Sequence, residues 1–233
     1  MKKFSLVPVV AIALLSATFS LSANADTISF QDKVEFVTDL PPNNMMQIQL
    51  PSFDTQGGTL TLNSVLVEIF HQGSVEMAAD NDDPFRPAVV RGRMFRTFAA
   101  TGPGVVAGGN NVTSTAFVNL SADDGDLVVF DPSGPDGVDF GTIGYGPLLA
   151  HSSNPATVLY ATPGPGLVNF DVEATLMSQD LQFQGQAPDA WTLEVENPRL
   201  SVTVKVTYDY VPEPSTLSLL GLGLVGLIRR SRR

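Results

Sequence analysis

Three short stretches of the chain concentrate oxygen donors: Asp80-Asn81-Asp82-Asp83, Asp123-Asp124-Gly125-Asp126, and the run from Asp131 to Asp139. A hard cation such as calcium takes about six to eight oxygen ligands, and loops of this composition offer them. None of the three fits the spacing of an EF-hand loop, because the terminal glutamate is absent. Asx turns use the same residues without a metal. The sequence is therefore read as needing no cofactor, with calcium the one ion left open.

Other chemistry is thinner. His71 and His151 are the only histidines. A serine triad needs one of them beside a serine and a carboxylate, and no G-x-S-x-G elbow nominates the serine. Neither histidine has a partner at zinc-ligand spacing. Asp171 with Glu173, and Glu194 with Glu196, would share a strand face at a distance that suits a glycosidase pair, although solvent-facing carboxylates are the simpler reading. Arg86, Arg91, Arg93 and Arg96, interleaved with Phe85, Phe95 and Phe98, form a basic cluster. It either docks an anionic polysaccharide or pairs internally with the acidic loop at Asp80 to Asp83. Trp191 is the single tryptophan, read as core before sugar-stacking. No catalytic, cofactor-binding or metal residue is assigned.

Gly221, Gly223 and Gly226 spell G-x-G-x-x-G, but a dinucleotide loop needs a strand before it, a helix after it and an acidic residue about 20 positions on. Here Arg233 follows seven residues later, and the glycines lie in an uncharged run from Leu217 to Ile228. As a helix, that run covers about 18 Å against a hydrocarbon core of about 30 Å. Such a segment is expected to be a poor lifelong anchor. Arg229, Arg230, Arg232 and Arg233 would hold its end on the cytoplasmic side.

At the other end, Lys2 and Lys3, the apolar stretch from Leu6 to Leu15, and Ala23-Asn24-Ala25 read as a signal peptide cut between Ala25 and Asp26 by signal peptidase. The organisation expected is a signal peptide over 1–25, a body over 26–211 and a sorting segment over 212–233. Val211-Pro212-Glu213-Pro214-Ser215, the apolar run and the arginine cluster resemble the PEP-CTERM sorting signal of Gram-negative bacteria that make extracellular polysaccharide. That resemblance implies transient insertion in the inner membrane, processing by an exosortase-type protease near Pro212-Glu213-Pro214, and delivery to the cell surface or matrix.

Between Asp26 and Pro212 seven basic residues face 23 carboxylates, a net charge of -16. Such a body repels phosphate, so nucleic acid is excluded as a partner. The absence of cysteine removes thiol chemistry and disulfides. Ser201 to Tyr210 alternates without a fault, placing Val202, Val204, Val206, Tyr208 and Tyr210 on one face of a strand. Further strands are predicted at Thr27–Phe36, Met45–Leu50, Thr59–Leu62, Val65–Phe70, Val112–Leu120, Leu127–Phe130, Thr157–Tyr160, Leu167–Leu176 and Trp191–Val195. Gly- and Pro-rich turns separate them, including Thr101–Gly104, Gly108–Asn111 and Pro163–Gly166. No sustained helical period interrupts this pattern. The fold class predicted is all-β, an antiparallel sandwich with jelly-roll topology open.

Thr27-Ile-Ser-Phe-Gln31, Gln49-Leu-Pro-Ser-Phe-Asp54 through Gly57-Gly58-Thr59-Leu60 to Ser64-Val65, then Val138-Asp-Phe-Gly141 and Val204-Lys-Val-Thr-Tyr208, resemble the choice-of-anchor E type of extracellular β domain. The resemblance implies a surface or matrix domain without established enzymatic activity. The function expected is thus a non-enzymatic structural or adhesive role with exopolysaccharide or biofilm. A carbohydrate-binding module, and after it a polysaccharide hydrolase, are the alternatives.

Overall fold

The alternation at Ser201 to Tyr210 belongs to a longer strand, β11 (Thr192–Pro212), in which Val202, Val204, Val206 and Tyr208 are wholly buried. A side-chain period of two puts every second residue on the core face. The structure is a computed structural model that describes residues 25–37, 45–125 and 129–212. The expected signal segment up to Asn24, Glu213, Pro214 and the arginine tail, the Pro41–Asn44 turn and Asp126 lie outside these residues.

Eleven strands are described. They are β1 (Asp26–Phe36), β2 (Met45–Pro51), β3 (Phe53–Asp54), β4 (Leu60–Asp80), β5 (Ala88–Gly102), β6 (Val105–Ser114), β7 (Val118–Leu120), β8 (Gly137–Ser153), β9 (Ala161–Thr162), β10 (Leu167–Phe183) and β11. Setting aside the short β3, β7 and β9, eight remain, and they pair as nested shells. β1 pairs with β11, β2 with β10, β4 with β8 and β5 with β6, all antiparallel. First meets last, second meets seventh, and so inward. Two sheets result, β1-β11-β4-β8 and β2-β10-β5-β6, with β7 added beside β5. That order is a jelly roll, the all-β sandwich of two Greek keys. A two-residue parallel pair, β3 with β9, closes one end. Among the described residues no helix is long and apolar enough to cross a membrane.

Several predicted elements changed. Thr59–Leu62 and Val65–Phe70 are one strand, β4, and Trp191–Val195 opens β11. Val112–Leu120 divides between β6 and β7, and Gly108–Asn111 is strand instead of turn. Thr157–Leu159 is a 3-10 turn, and Val129 and Phe130 are not strand. β5 and β8 were not expected. On β5 the core-facing positions include Gly92 and Arg96, which erase the apolar alternation. On β8 three register shifts against β4 break the period.

The core divides into a large cluster holding Val65, Val204, Phe98 and Phe170, a smaller one holding Val75, Met77, Met94 and Ile143, and a third holding Ala88, Val90 and Leu120. The first two are separated along β5. A polar layer lies between them. Arg96, wholly buried, occupies the β5 position between Met94 and Phe98. Its Nε donates to the Arg199 carbonyl (3.1 Å), one terminal nitrogen to the Phe95 (2.9 Å) and Ser178 (3.2 Å) carbonyls, and the other to the Ser74 carbonyl (3.2 Å). Ser74 and Arg199 flank register shifts on β4 and β11, where the ladder leaves carbonyls over. One guanidinium thus satisfies backbone acceptors in both sheets. Gly73 makes this possible, since a Cβ there would stand 3.0 Å from Arg96 Cγ and from the Tyr145 ring. His71 joins the layer through a 2.9 Å hydrogen bond between Nδ1 and the Tyr145 hydroxyl, with its ring 5.1 Å from that of Phe98. Burial lowers the His71 pKa and lifts Tyr145 to about 12, so both are neutral at pH 7.

Candidate functional site

The acidic stretches meet at one end of the sandwich. β4 finishes at Asp80 and β8 starts at Gly137, directly opposite it. The segments 81–87, 121–125 and 129–136 are drawn together there by backbone hydrogen bonds, and the Asp83 carboxylate ties 184–191 to them by accepting Asp189 N. Asn81 N donates to the Asp136 carbonyl (3.1 Å), Ser121 N to the Pro135 carbonyl (3.0 Å) and Asp123 N to the Asp83 carbonyl (3.0 Å). Asn81 Nδ2 reaches the Arg86 (2.8 Å) and Ser121 (2.6 Å) carbonyls. A buried asparagine in this role fixes two loops at once.

Within this junction the carboxylates divide by task. Asp83 accepts the backbone N–H groups of Phe85 (2.9 Å) and Asp189 (2.8 Å), and these hold its carboxyl below the usual range. Asp131 accepts Ser133 Oγ (2.7 Å) and Ser133 N (3.0 Å), with the same effect. Asp82 accepts the Thr192 hydroxyl (2.7 Å). These three are loop staples. Asp123, Asp124 and Asp136 differ, since each offers an oxygen to a common point, all within 4.8 Å of one another. Asp136 is 3% exposed and accepts Asp124 N at 2.9 Å. Asp80, also 3% exposed, accepts Asp131 N through Oδ2 (2.9 Å), while Oδ1 is sealed in with no partner. Burial raises the Asp80 pKa, the Asp131 amide opposes that rise, and the charges of Asp136 and Asp82 add to it.

The remaining candidates are dispersed. Arg86 pairs with Asp189 (2.9 Å), and Arg93 with Asp180 through two hydrogen bonds of 2.8 and 2.7 Å. Arg91 donates to Gln182 (2.8 Å) and lies over the Phe117 ring at 4.6 Å. With Arg96 buried, the four arginines do not form one docking patch. Trp191 stands outside the core clusters, 43% exposed, with its ring 5.8 Å from Phe183. His151 bonds Ser153 Oγ at 2.8 Å, and His71 is in the core. Glu194 and Glu196 line a groove of ≈ 350 Å³ together with Glu76 and Asp139, and Glu76 is the cross-strand partner of Glu196. Asp171 instead accepts Gln47 Nε2 at 2.9 Å on β10.

The opposite end carries a second groove, ≈ 340 Å³, lined by Phe30, Phe53, Tyr210 and Leu60, with Asp54 and Gln56 also lining it. Nothing in the sequence marked it, because its residues come from β1, β2, β3, β4 and β11 and meet only through the nested pairing. The last residues of β11, Val211 and Pro212, pair with Thr61 and Leu60 at that end.

No curated protein and no solved structure matches the chain. Residues 211–233 do match a family, described as the PEP-CTERM protein-sorting motif, whose first two residues are therefore the last two of β11. The chain carries the sorting motif of an exported, exosortase-processed protein bound for the cell surface.

Proposed function

We propose that the jelly roll is a non-catalytic surface or matrix domain of the choice-of-anchor E type, with a structural or adhesive role beside exopolysaccharide. The observation that carries this reading is the junction itself, where the sorting motif grows out of the final core strand. Cargo and address label are joined without a linker. The separate engagement of His71 with Tyr145 and of His151 with Ser153 supports a role other than nucleophilic catalysis. The test is to map both termini and the location of the protein in cells with and without the exosortase. Loss of residues beyond the Pro-Glu-Pro motif and recovery with the exopolysaccharide, both dependent on the protease, are the expected results. An intact Arg233 in stable membrane protein would overturn the reading.

The aromatic groove favours a second reading, a carbohydrate-binding module. Rings of Phe30, Phe53 and Tyr210 give an apolar platform with polar groups beside it, the composition that sugar stacking uses. A glycan array separates the two: binding that disappears in Tyr210→Ala and persists in Trp191→Ala promotes it. The hydrolase reading ranks third, and requires glycan turnover that is abolished in Glu76→Gln or Glu196→Gln.

A further inference from the structure

We propose that the outer edge of β6 is a docking surface for a second copy of this chain, joined by antiparallel strand pairing about a two-fold axis at Gly109. An edge strand offers a row of unpaired amides and carbonyls, and proteins guard it with charge, proline, bulges or brevity. In the two large sheets, three of the four edge strands are guarded in this way. β1 carries Asp26, Asp32, Lys33 and Glu35, β8 carries Pro147 and three register shifts, and β2 has only 7 residues and ends on Pro51. β6 has 10 residues, no charge, no proline and an unbroken register against β5.

The outward groups of β6 follow from its ladder. Thr115 N donates to the Gly92 carbonyl (3.0 Å) and Gly92 N to Thr115 Oγ1 (3.1 Å), so the backbone of Gly92 bonds on the β6 side. Bonded pairs alternate along an antiparallel ladder, which turns the backbone groups of Thr113, Asn111, Gly109 and Ala107 toward β5. Those of Val106, Gly108, Asn110 and Val112 therefore point outward. Among the described residues none of these outward groups has a backbone partner.

Three further observations fit a second copy. The outer face of β6 presents Val106, 80% exposed, and Val112, 59% exposed. Of the registers that keep like faces together, the one centred on Gly109 sets Val106 of each copy against Val112 of the other, so a single axis covers all four valines. Charge is the second observation. A body with 23 carboxylates against seven basic residues repels its own copy, yet Val105 to Leu120 holds no charged residue, so the copies approach where that repulsion is least. The third lies on β8, which runs beside the axis: a Cβ on Gly109 would stand 3.2 Å from Ala150 Cβ, and Leu148 and Leu149, next to Ala150, are exposed. A lone peptide strand added to β6 would leave those leucines bare, whereas a whole second copy brings its own leucines to the same place.

The chain contains no cysteine, so introduced thiols report the register. Opposed residues of a bonded pair lie about 5.5 Å apart at Cα, within disulfide reach. Val106→Cys and Val112→Cys chains, purified from exporting cells and mixed under oxidation, should form a covalent dimer. Either chain alone should not, because like positions lie about 20 Å apart. Sedimentation of the unmodified protein should show a concentration-dependent dimer. Val112→Lys and Asn110→Pro should each weaken it at least about 10-fold, since the axis counts each change twice. Gln47→Lys, on β2 at the far edge of the same sheet, should associate as wild type. Val106 and Val112 are exposed, so the cysteine chains fold even if Asn110→Pro does not. A protein that stays monomeric at every concentration would overturn the proposal. So would association unchanged in Val112→Lys, cross-linking of Val106→Cys with itself, or a complex with a different protein in place of the second copy.

Discussion

The two ends of β4 and β11 solve the same problem with opposite materials. At Leu60, paired with Pro212, the sandwich is closed by Phe30, Phe53, Tyr208 and Tyr210, with ring centroids 5.2 to 6.1 Å apart. At Asp80, paired with Thr192, it is closed by aspartates and backbone amides. Apolar closure is non-directional and additive with area. Polar closure depends on every donor meeting an acceptor, so a single change has either a small effect or a disproportionate one. The aromatic end is therefore held by buried area and the acidic end by specific pairing.

Arg96, on the boundary between the two halves, gives the largest expected effect. Arg96→Met leaves the Ser74, Ser178 and Arg199 carbonyls short of a donor and should cost about 3 to 5 kcal/mol in urea unfolding. At the aromatic end, Phe53→Ala should cost about 3 to 4 kcal/mol, since a buried ring leaves a cavity against Tyr208 and Tyr210. At the acidic end, Asp82→Ala removes one hydrogen bond to Thr192 and should cost about 1 kcal/mol. If the two costs are equal, the contrast between the ends collapses.

His71 adds a pH dependence. Burial lowers its pKa from the ordinary 6.5, so the unfolded chain takes up a proton first as acid is added. Its contribution is complete above about pH 6.5 and is lost as pH falls below it. Chemical denaturation from pH 7.5 to 5 should therefore show a steeper loss in wild type than in His71→Asn. The smallest effect belongs to Arg93 and Asp180, half-exposed on the outer face, for which a double-mutant cycle should give under about 1 kcal/mol.

How far these features were readable depended on the strand. β11 was legible because its inward positions from Leu200 to Tyr208 are buried without interruption. β5 was not, because Arg96 faces the core among carbonyls of β4, β10 and β11, and Gly92 faces it against Ile143 of β8 and Met77 of β4. β8 was hidden by its shifts of register, which no periodicity survives. The sandwich followed from turn spacing and β-branched composition, but the nested order required partners up to 184 residues apart, as with Asp26 and Tyr210. The aspartate stretches were visible as composition. Their division into staples, a convergent trio and an orphan at Asp80 was not, since it is decided by amides from distant loops. The aromatic groove left no trace, being assembled from five separate strands.

Because β11 lies between β1 and β4, hydrogen-bonded along both of its sides, the sheet has a gap until the final residues of the body arrive. A chain delivered N-terminus first must wait with that slot unfilled, its earlier strands lacking their central neighbour. The sorting motif begins where the slot is completed. Closure of the β1-β11-β4 sheet and the start of the sorting motif thus fall at the same point of the chain.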